Sequence, residues 1–195
     1  MKNNFNWNDY NKARKNNPPR DTLLFALKKI TEEKTAAGKC FDLGCGPGND
    51  TSELLLNGWE VTATDSNPDI LFYLEPLLNK YKKKLKVQIA SFEDIDWKKC
   101  DLVNASFTLP FCPEEHFKKL WSNIVLNINK GGRFSGQFFG MKDEWKDLVR
   151  HTRKEILEMF SKFKIELIGE IEKDDQTAAG KMKHWHFFNI VAKKI

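Results

Sequence analysis

Three glycines and an aspartate in the first third of the chain have the spacing of a nucleotide-cofactor site. Residues 41–50 read as an apolar strand, then Gly44, Gly46 and Gly48, then the start of a helix. Glycines at such a turn let the backbone approach a ligand closely. Asp65 follows at the end of the next predicted strand, where a carboxylate can accept both hydroxyls of a ribose. The pattern indicates an adenosine-containing cofactor.

Asp42, two residues before the first glycine, favours one kind of cofactor over another. The dinucleotide fingerprint GxGxxG places a pyrophosphate at a helix N-terminus, whereas the spacing here is GxGxG. A fixed carboxylate at the mouth of the loop repels pyrophosphate and suits an ammonium or sulfonium group. The alternative is that Asp42 only caps the turn and the glycines only shape a connection. Asp65 at the expected distance favours the binding site.

The elements that must position these residues alternate between strands and helices. Strands are predicted at residues 39–43, 59–64, 85–90, 101–107 and 133–139. Asp21 is predicted to cap a first helix, and further helices are predicted at residues 50–57, 68–81, 113–128 and 152–163. The alternation predicts an α/β fold with a mostly parallel sheet covered by helices on both faces.

The end of the chain breaks this alternation. Residues 164–173 and 184–193 resemble two strands joined by a polar loop at 174–183, with no helix between them. Strands joined in that way are antiparallel, so the sheet is predicted to have seven strands and to finish with a hairpin. We expect a single domain over residues 1–195, with a helical lid segment at 1–37 and the α/β core at 38–195.

Composition excludes several classes of protein. The 195 residues carry a net charge of +5, and no apolar run is long enough to span a membrane. Residues 1–5 lack the apolar segment of a signal peptide, and the four cysteines have no metal-type spacing, so we expect a cytoplasmic protein with reduced thiols. Nucleic acid is an unlikely partner, because the basic residues are mainly lysines. The one dense basic run consists of Lys80, Lys82, Lys83, Lys84 and Lys86.

Residues 42–48, followed by residues 60–65, resemble the class I S-adenosylmethionine-dependent methyltransferases. The resemblance implies a Rossmann-like sheet in which the last strand inserts between two parallel strands. It implies that S-adenosyl-L-methionine is the cofactor and S-adenosyl-L-homocysteine the product. The expected cofactor-binding residues are Asp42, Gly44, Cys45, Gly46, Gly48, Asp65, Ser66, Ser91, Phe92, Glu93 and Ser106, with the glycine loop facing the methionine part, Asp65 the ribose and residues 91–93 the adenine.

A second, less specific resemblance lies in the middle and at the end of the chain. Residues 107–113, 136–145 and 183–186 are similar to small bacterial methyltransferases of the tellurite-resistance type. This similarity suggests a small, single-domain enzyme rather than a particular substrate.

Methyl transfer from a sulfonium needs alignment more than a covalent catalyst, so no catalytic residue is assigned firmly. The weak candidates are Tyr10 and the pair His184 and His186, which alternate around Trp185 on a predicted strand. The alternative for the histidines is packing against a covering helix. No metal site is expected, and Cys112 reads as an ordinary thiol.

The acceptor is expected to be a small molecule. Arg14 and Arg20 in the lid, with Phe107 after the fourth strand, are the candidate substrate-binding residues, although the Asn-rich N-terminus could equally be frayed. Trp145 is expected in the core. Alternatives are a nucleotide-cofactor oxidoreductase, a non-catalytic S-adenosylmethionine-binding protein and an RNA methyltransferase. The acceptor atom, the use of a general base and the oligomeric state stay open at this stage.

Overall fold

A computed structural model describes residues 6–195 of the chain. The helices are α1 (Trp7–Arg14), α2 (Asp21–Glu32), α3 (Asn49–Leu56), α4 (Ile70–Lys80), α5 (Glu114–Asn127) and α6 (Arg153–Met159). The strands are β1 (Lys39–Leu43), β2 (Glu60–Asp65), β3 (Leu85–Ile89), β4 (Cys100–Ala105), β5 (Ile128–Gly140), β6 (Arg150–His151), β7 (Phe163–Gln176) and β8 (Met182–Lys194). No helix among these residues is both long enough and apolar enough to cross a membrane.

The main sheet has the strand order β3-β2-β1-β4-β5-β8-β7. The pairs among β1 to β5 are parallel, whereas β8 is antiparallel to both β5 and β7. The final strand is thus inserted between two strands that run the other way. The predicted fold class, including the C-terminal hairpin, is confirmed.

Helices cover both faces of this sheet because successive strand residues point to opposite sides. On one face, Phe41 and Val103 belong to the same buried cluster as Trp121 of α5. On the other, Cys40 and Leu102 belong to a cluster with buried residues of α2, α3 and α4. The two clusters fix the sheet, so the loops at its carboxyl edge have a rigid support.

The hairpin differs from its prediction in length. Its strands pair continuously up to Gln176 and Met182, so the connection is residues 177–181 rather than 174–183. The polar residues at 174–176 were predicted as loop because they lack an apolar pattern, yet the ladder with β8 satisfies their backbone groups. The two-residue strand β6, which pairs with β5, was not predicted, because two residues carry no periodicity.

The N-terminal segment is ordered around two helices. Asn6 caps α1, and Asn8 Nδ2 donates to Asp69 Oδ2 at 2.7 Å, which ties α1 to the turn before α4. The prediction that Asp21 caps α2 was wrong: Arg20 occupies the cap position, and its N–H donates to Asp50 Oδ1 at 2.9 Å. Residues 1–5 of the predicted lid lie outside the described residues. That α1 and α2 form a lid stays a prediction.

Candidate active site

A cavity of about 1410 Å³ opens at the carboxyl ends of the parallel strands, where ligands bind in open α/β sheets. Its volume exceeds that of a typical single-ligand site, so it has room for a cofactor and an acceptor together. The predicted site residues that line it are Tyr10, Arg14, Arg20, Gly44, Gly46, Asp65, Ser66, Ser91, Phe92, Glu93, Ser106 and Phe107. The fold thus brings together residues separated by almost a hundred positions in the chain.

The turn after β1 requires glycine. Gly44 has a φ of +60° and Gly48 a φ of +85°, in the left-handed region that other residues rarely adopt. A Cβ at Gly44 would also collide with the Thr108 side chain. This bare backbone forms one wall of the cavity, so a ligand can approach Gly44 and Gly46 closely.

Asp65, at the carboxyl end of β2, is oriented by two backbone donors. Its Oδ2 accepts from the N–H of Gly46 at 3.0 Å and its Oδ1 from the N–H of Asn67 at 2.9 Å. A carboxylate has about four acceptor positions, so two are left for hydroxyls of a ligand such as a ribose. Burial raises the pKa of Asp65. A ligand that donates hydrogen bonds to the carboxylate would lower this pKa.

Asp42 does not reach the cavity, contrary to its expected place at the mouth of the loop. The residue is 1% exposed, and its carboxylate accepts from Thr51 Oγ1 at 2.5 Å and Asn104 Nδ2 at 2.9 Å. Two other predicted cofactor residues also lie outside the lining. The Cys45 side chain is in the core while its N–H donates to the Thr64 carbonyl, and Gly48 caps α3. Asp42, Cys45 and Gly48 therefore support the loop from the side away from the cavity.

Asp50 is the second buried carboxylate at this end of the cavity. Its Oδ2 accepts from Asn104 Nδ2 at 2.9 Å and from Ser106 Oγ at 2.6 Å. Asn104 therefore bridges the two aspartates. Burial, and then the charge of Asp50, raise the pKa of Asp42 to about 7. The two carboxyl groups lie behind the glycine loop, whereas the sequence analysis expected Asp42 alone at its mouth and did not single out Asp50.

The loop after β3 lines another part of the cavity. Ser91 and Phe92 are half-buried there, and Glu93 pairs with His116 Nε2 at 3.2 Å. Ser91 Oγ donates to Asp94 Oδ2 at 2.6 Å, which closes the turn. These residues provide a ring face and polar groups near Asp65, as a flat nitrogen base would require.

Aromatic side chains line the far end of the cavity, centred on Phe107. Phe107 has a φ of +53°, and its N–H donates to Gln137 Oε1 at 3.0 Å, which stabilises this uncommon conformation. The Arg20 guanidinium carbon lies 4.7 Å from the Phe107 ring centroid, within the range of a cation–π interaction. The aromatic residues that join Phe107 on the lining include Phe111, Phe139, Trp145, Trp185 and Phe187.

Residues 41–132 match a family model described as a methyltransferase domain. This stretch of the chain is therefore similar to a methyltransferase domain. The resemblance to class I methyltransferases drawn from the glycine loop and β2 is thereby confirmed. No curated protein sequence matches the chain.

Solved structures share the fold of this methyltransferase domain. TehB from Haemophilus influenzae superposes with a TM-score of 0.76 at 18% identity, covering 90% of this chain and 62% of the TehB chain. A Burkholderia thailandensis 1,6-didemethyltoxoflavin-N1-methyltransferase, with bound 1,6-didemethyltoxoflavin and S-adenosylhomocysteine, gives 0.67 at 18% identity, covering 89% and 78%. The N-methyltransferase NodS from Bradyrhizobium japonicum, in complex with S-adenosylhomocysteine, gives 0.68 at 13% identity, covering 96% and 98%. The chain therefore spans less than two thirds of TehB.

The two histidine candidates do not line the cavity of the methyltransferase domain. His184 Nδ1 lies 2.8 Å from Asp174 Oδ1, and this hydrogen bond raises the pKa of His184. His186 is buried, with its Nε2 3.0 Å from Glu170 Oε1. Both imidazoles share one face of β8, as predicted, but that face carries acidic partners of β7 rather than the site. Tyr10 is the one weak catalytic candidate that lines the cavity.

The opposite face of β8 supplies site residues that the sequence analysis missed. Lys183, Trp185 and Phe187 alternate with the histidines and line the cavity. The alternation of side chains along a strand could have indicated that these three residues share a face. The sequence did not show which of the two faces of β8 lines the cavity. Trp145, expected in the core on a helix, lies on a turn and lines the cavity as well.

A buried ion pair supports this aromatic end. Lys183 Nζ lies 2.6 Å from both carboxylate oxygens of Asp143, and the two side chains are almost fully buried. Asp143 also accepts from the backbone N–H of Trp145 at 3.0 Å and of His186 at 3.1 Å. One carboxylate thus joins the turn that carries Trp145 to β8.

Two other kinds of reactive site were considered in the sequence: a thiol nucleophile and a metal centre. The Cys112 thiol is buried, and burial raises its pKa to about 12, so it is not a nucleophile near neutral pH. Within residues 6–195 there is no cluster of side chains suited to a metal ion.

Asp42→Asn is expected to change how stability depends on pH. The folded-state pKa of about 7 lies above the unfolded value, so the folded state retains a proton that the unfolded chain has lost. The stability contributed by that proton falls as pH rises from about 4 to 7. Asparagine can keep one acceptor for Asn104 and does not titrate, so the variant should gain about 2 kcal/mol relative to wild type between pH 5 and 8.

Urea unfolding of both proteins at several pH values measures this difference. Asp96→Asn, on an exposed side chain, is the control and should follow the wild-type profile. Parallel profiles for Asp42→Asn and wild type would contradict the raised pKa.

Proposed function

We propose that this protein transfers the methyl group of S-adenosylmethionine to a small-molecule acceptor. The observation that carries the proposal is one continuous cavity with the glycine loop and Asp65 at one end and aromatic side chains at the other. Neighbours with this fold support the cofactor, because they were solved with bound S-adenosylmethionine or S-adenosylhomocysteine. Two of them are named for small molecules: the 1,6-didemethyltoxoflavin enzyme described above and a magnesium protoporphyrin IX methyltransferase from Synechocystis.

The cavity fits the cofactor at three places. The bare backbone of Gly44 and Gly46 suits the methionine part, and the free acceptor positions of Asp65 suit the ribose hydroxyls. Phe92 offers a ring edge or face to adenine. When bound, S-adenosylmethionine supplies a methyl group on a positively charged sulfur, and the buried Asp50 carboxylate beside the loop complements it.

The side chains around the cofactor site contribute by positioning and by removing water. Tyr10 and Arg14 reach the cavity from α1 and cover the glycine loop, where Asn49 Nδ2 donates to the Arg14 carbonyl at 2.8 Å. Holding an acceptor and a methyl donor in line within a closed cavity is the main source of rate enhancement in such a transfer. Ser66 and Ser106 are the further polar groups on this lining.

A small acceptor is favoured over RNA by where the charges lie. The exposed lysines at residues 80–84 precede β3, and Lys86 is its second residue, so the run is at the amino edge of the parallel sheet, opposite the cavity. One of them, Lys84, is held by the carbonyl of Gly58 at 2.9 Å. The four free, buried cysteines support a reducing, cytoplasmic location.

Thermal unfolding with added ligands tests the proposal. S-adenosylmethionine and S-adenosylhomocysteine should each raise the melting temperature, and at 100 times the dissociation constant the gain is about 2.7 kcal/mol. NAD should give no shift. A shift with NAD and none with either sulfur compound would favour the oxidoreductase alternative and overturn the proposal.

A further inference from the structure

The aromatic end of the cavity is built as a slot. Phe107 and Phe187 have ring centroids 5.1 Å apart, and Trp145 and Trp185 have centroids 5.4 Å apart, both in edge-to-face geometry. Phe107 also contacts Trp185 at 6.2 Å, which links the two pairs. Because edge-to-face pairs set neighbouring rings at steep angles, a flat ligand can lie on one ring while meeting the edge of another.

Two cations of the protein already occupy ring faces at this slot. Lys183 Nζ lies 3.7 Å from the Trp185 centroid and 4.4 Å from that of Trp145, and Asp143 neutralises it. The Arg20 guanidinium covers Phe107. Since electron-rich ring faces attract cations, their occupation by Lys183 and Arg20 leaves less attraction for a cationic ligand.

The arginines differ from Lys183 in having no counter-ion of their own. Within residues 6–195, neither Arg14 nor Arg20 forms a salt bridge, and both are half-buried on the cavity lining. Planar guanidinium groups bind carboxylates and similar anions through paired hydrogen bonds. Arg14 lies towards the glycine loop, whereas Arg20 lies on Phe107, at the aromatic end.

From these contacts we infer that the methyl acceptor is a flat aromatic or heteroaromatic molecule with an acidic group, stacked in the slot of Phe107, Trp145, Trp185 and Phe187 with its anionic group towards Arg20. The inference rests on the proposed methyl transfer and names its substrate class.

Binding of a probe to the protein saturated with S-adenosylhomocysteine tests the inference. The probe is 6-hydroxy-2-naphthoate, which is flat and anionic. Two comparison compounds keep both rings and the hydroxyl: the saturated 6-hydroxydecahydronaphthalene-2-carboxylate is anionic but not flat, and (6-hydroxynaphthalen-2-yl)methylammonium is flat but cationic. Isothermal titration calorimetry should show the naphthoate binding at least about tenfold more tightly than either.

Two variants locate the probe. Trp185→Leu should weaken naphthoate binding about tenfold through loss of ring stacking. Arg20→Met should remove the preference for the carboxylate over the ammonium compound. Phe72→Leu is the matched control, because Phe72 is an exposed aromatic residue outside the cavity lining, and it should leave probe binding unchanged.

The affinity of the wild-type protein for S-adenosylhomocysteine is measured first. It distinguishes a failure of the proposed substrate class from a failure of the proposed methyl transfer. If the wild-type protein binds S-adenosylhomocysteine but binds the naphthoate no better than the two comparison compounds, the substrate class is wrong and the proposed function stands. If S-adenosylhomocysteine does not bind, the proposed function fails, and the substrate class fails with it.

Discussion

Asp143→Ala is expected to lower the free energy of unfolding by about 3–5 kcal/mol, because it leaves the Lys183 ammonium buried without a counter-charge. The same change removes the acceptor for the backbone N–H groups of Trp145 and His186. The turn that carries Trp145 would keep its Glu144–His184 hydrogen bonds to β8 but lose those of Asp143, so the aromatic end of the cavity should loosen together with the fold. Urea unfolding measures the loss.

A surface ion pair on the same sheet provides the control. Lys142 and Glu172 lie 2.7 Å apart with side chains 65% and 41% exposed. Exposed pairs contribute little, so Glu172→Ala should cost less than about 1 kcal/mol. If Asp143→Ala cost no more than Glu172→Ala, the buried pair would not be the support of the aromatic end.

Asp65→Ala is expected to weaken S-adenosylhomocysteine binding about 100-fold or more. Hydrogen bonds to a charged group contribute about 1.5–3 kcal/mol each, and the carboxylate is placed to accept two ribose hydroxyls. The backbone N–H groups of Gly46 and Asn67 that now donate to Asp65 can donate to water instead. The fold should therefore persist, and calorimetric titration should show the loss of affinity.

The control for this variant is Asp96→Ala. Asp96 is an exposed aspartate whose carboxylate pairs with Lys98 and lies outside the cavity lining. It should bind S-adenosylhomocysteine like the wild-type protein. Unchanged affinity in Asp65→Ala, alongside an intact melting curve, would show that the ribose is bound elsewhere.

Local spacing was enough to predict that the glycine loop and Asp65 lie close together. The glycines of the first turn and Asp65 at the end of β2 act through backbone geometry over a few residues, and their positions follow from the strand–turn–helix order. The parallel order of β1 to β4 and the inserted last strand also followed from the alternation of elements and from the family resemblance. These features depend on contacts between neighbours in the chain or in the sheet.

How deeply a side chain is buried, and which face of the C-terminal strand β8 lines the cavity, depend on contacts between residues far apart in the chain. The sequence therefore did not reveal either. Asp42 was expected in the cavity, but Thr51 and Asn104 hold it behind the loop. Along β8, the alternation of residues was clear, yet the acidic side chains of β7 decide that the histidines face away from the site. Trp145 could not be placed, because its turn is held by an ion pair between residues 40 positions apart.

A crystal structure with S-adenosylhomocysteine would show whether the cavity beside Asp65 and the glycine loop holds the cofactor. We predict both ribose hydroxyls within hydrogen-bond distance of the Asp65 carboxylate and the amino-acid part of the ligand against Gly44 and Gly46. A ligand bound with its ribose away from Asp65, or a cavity that stays empty at saturating ligand concentration, would contradict the account.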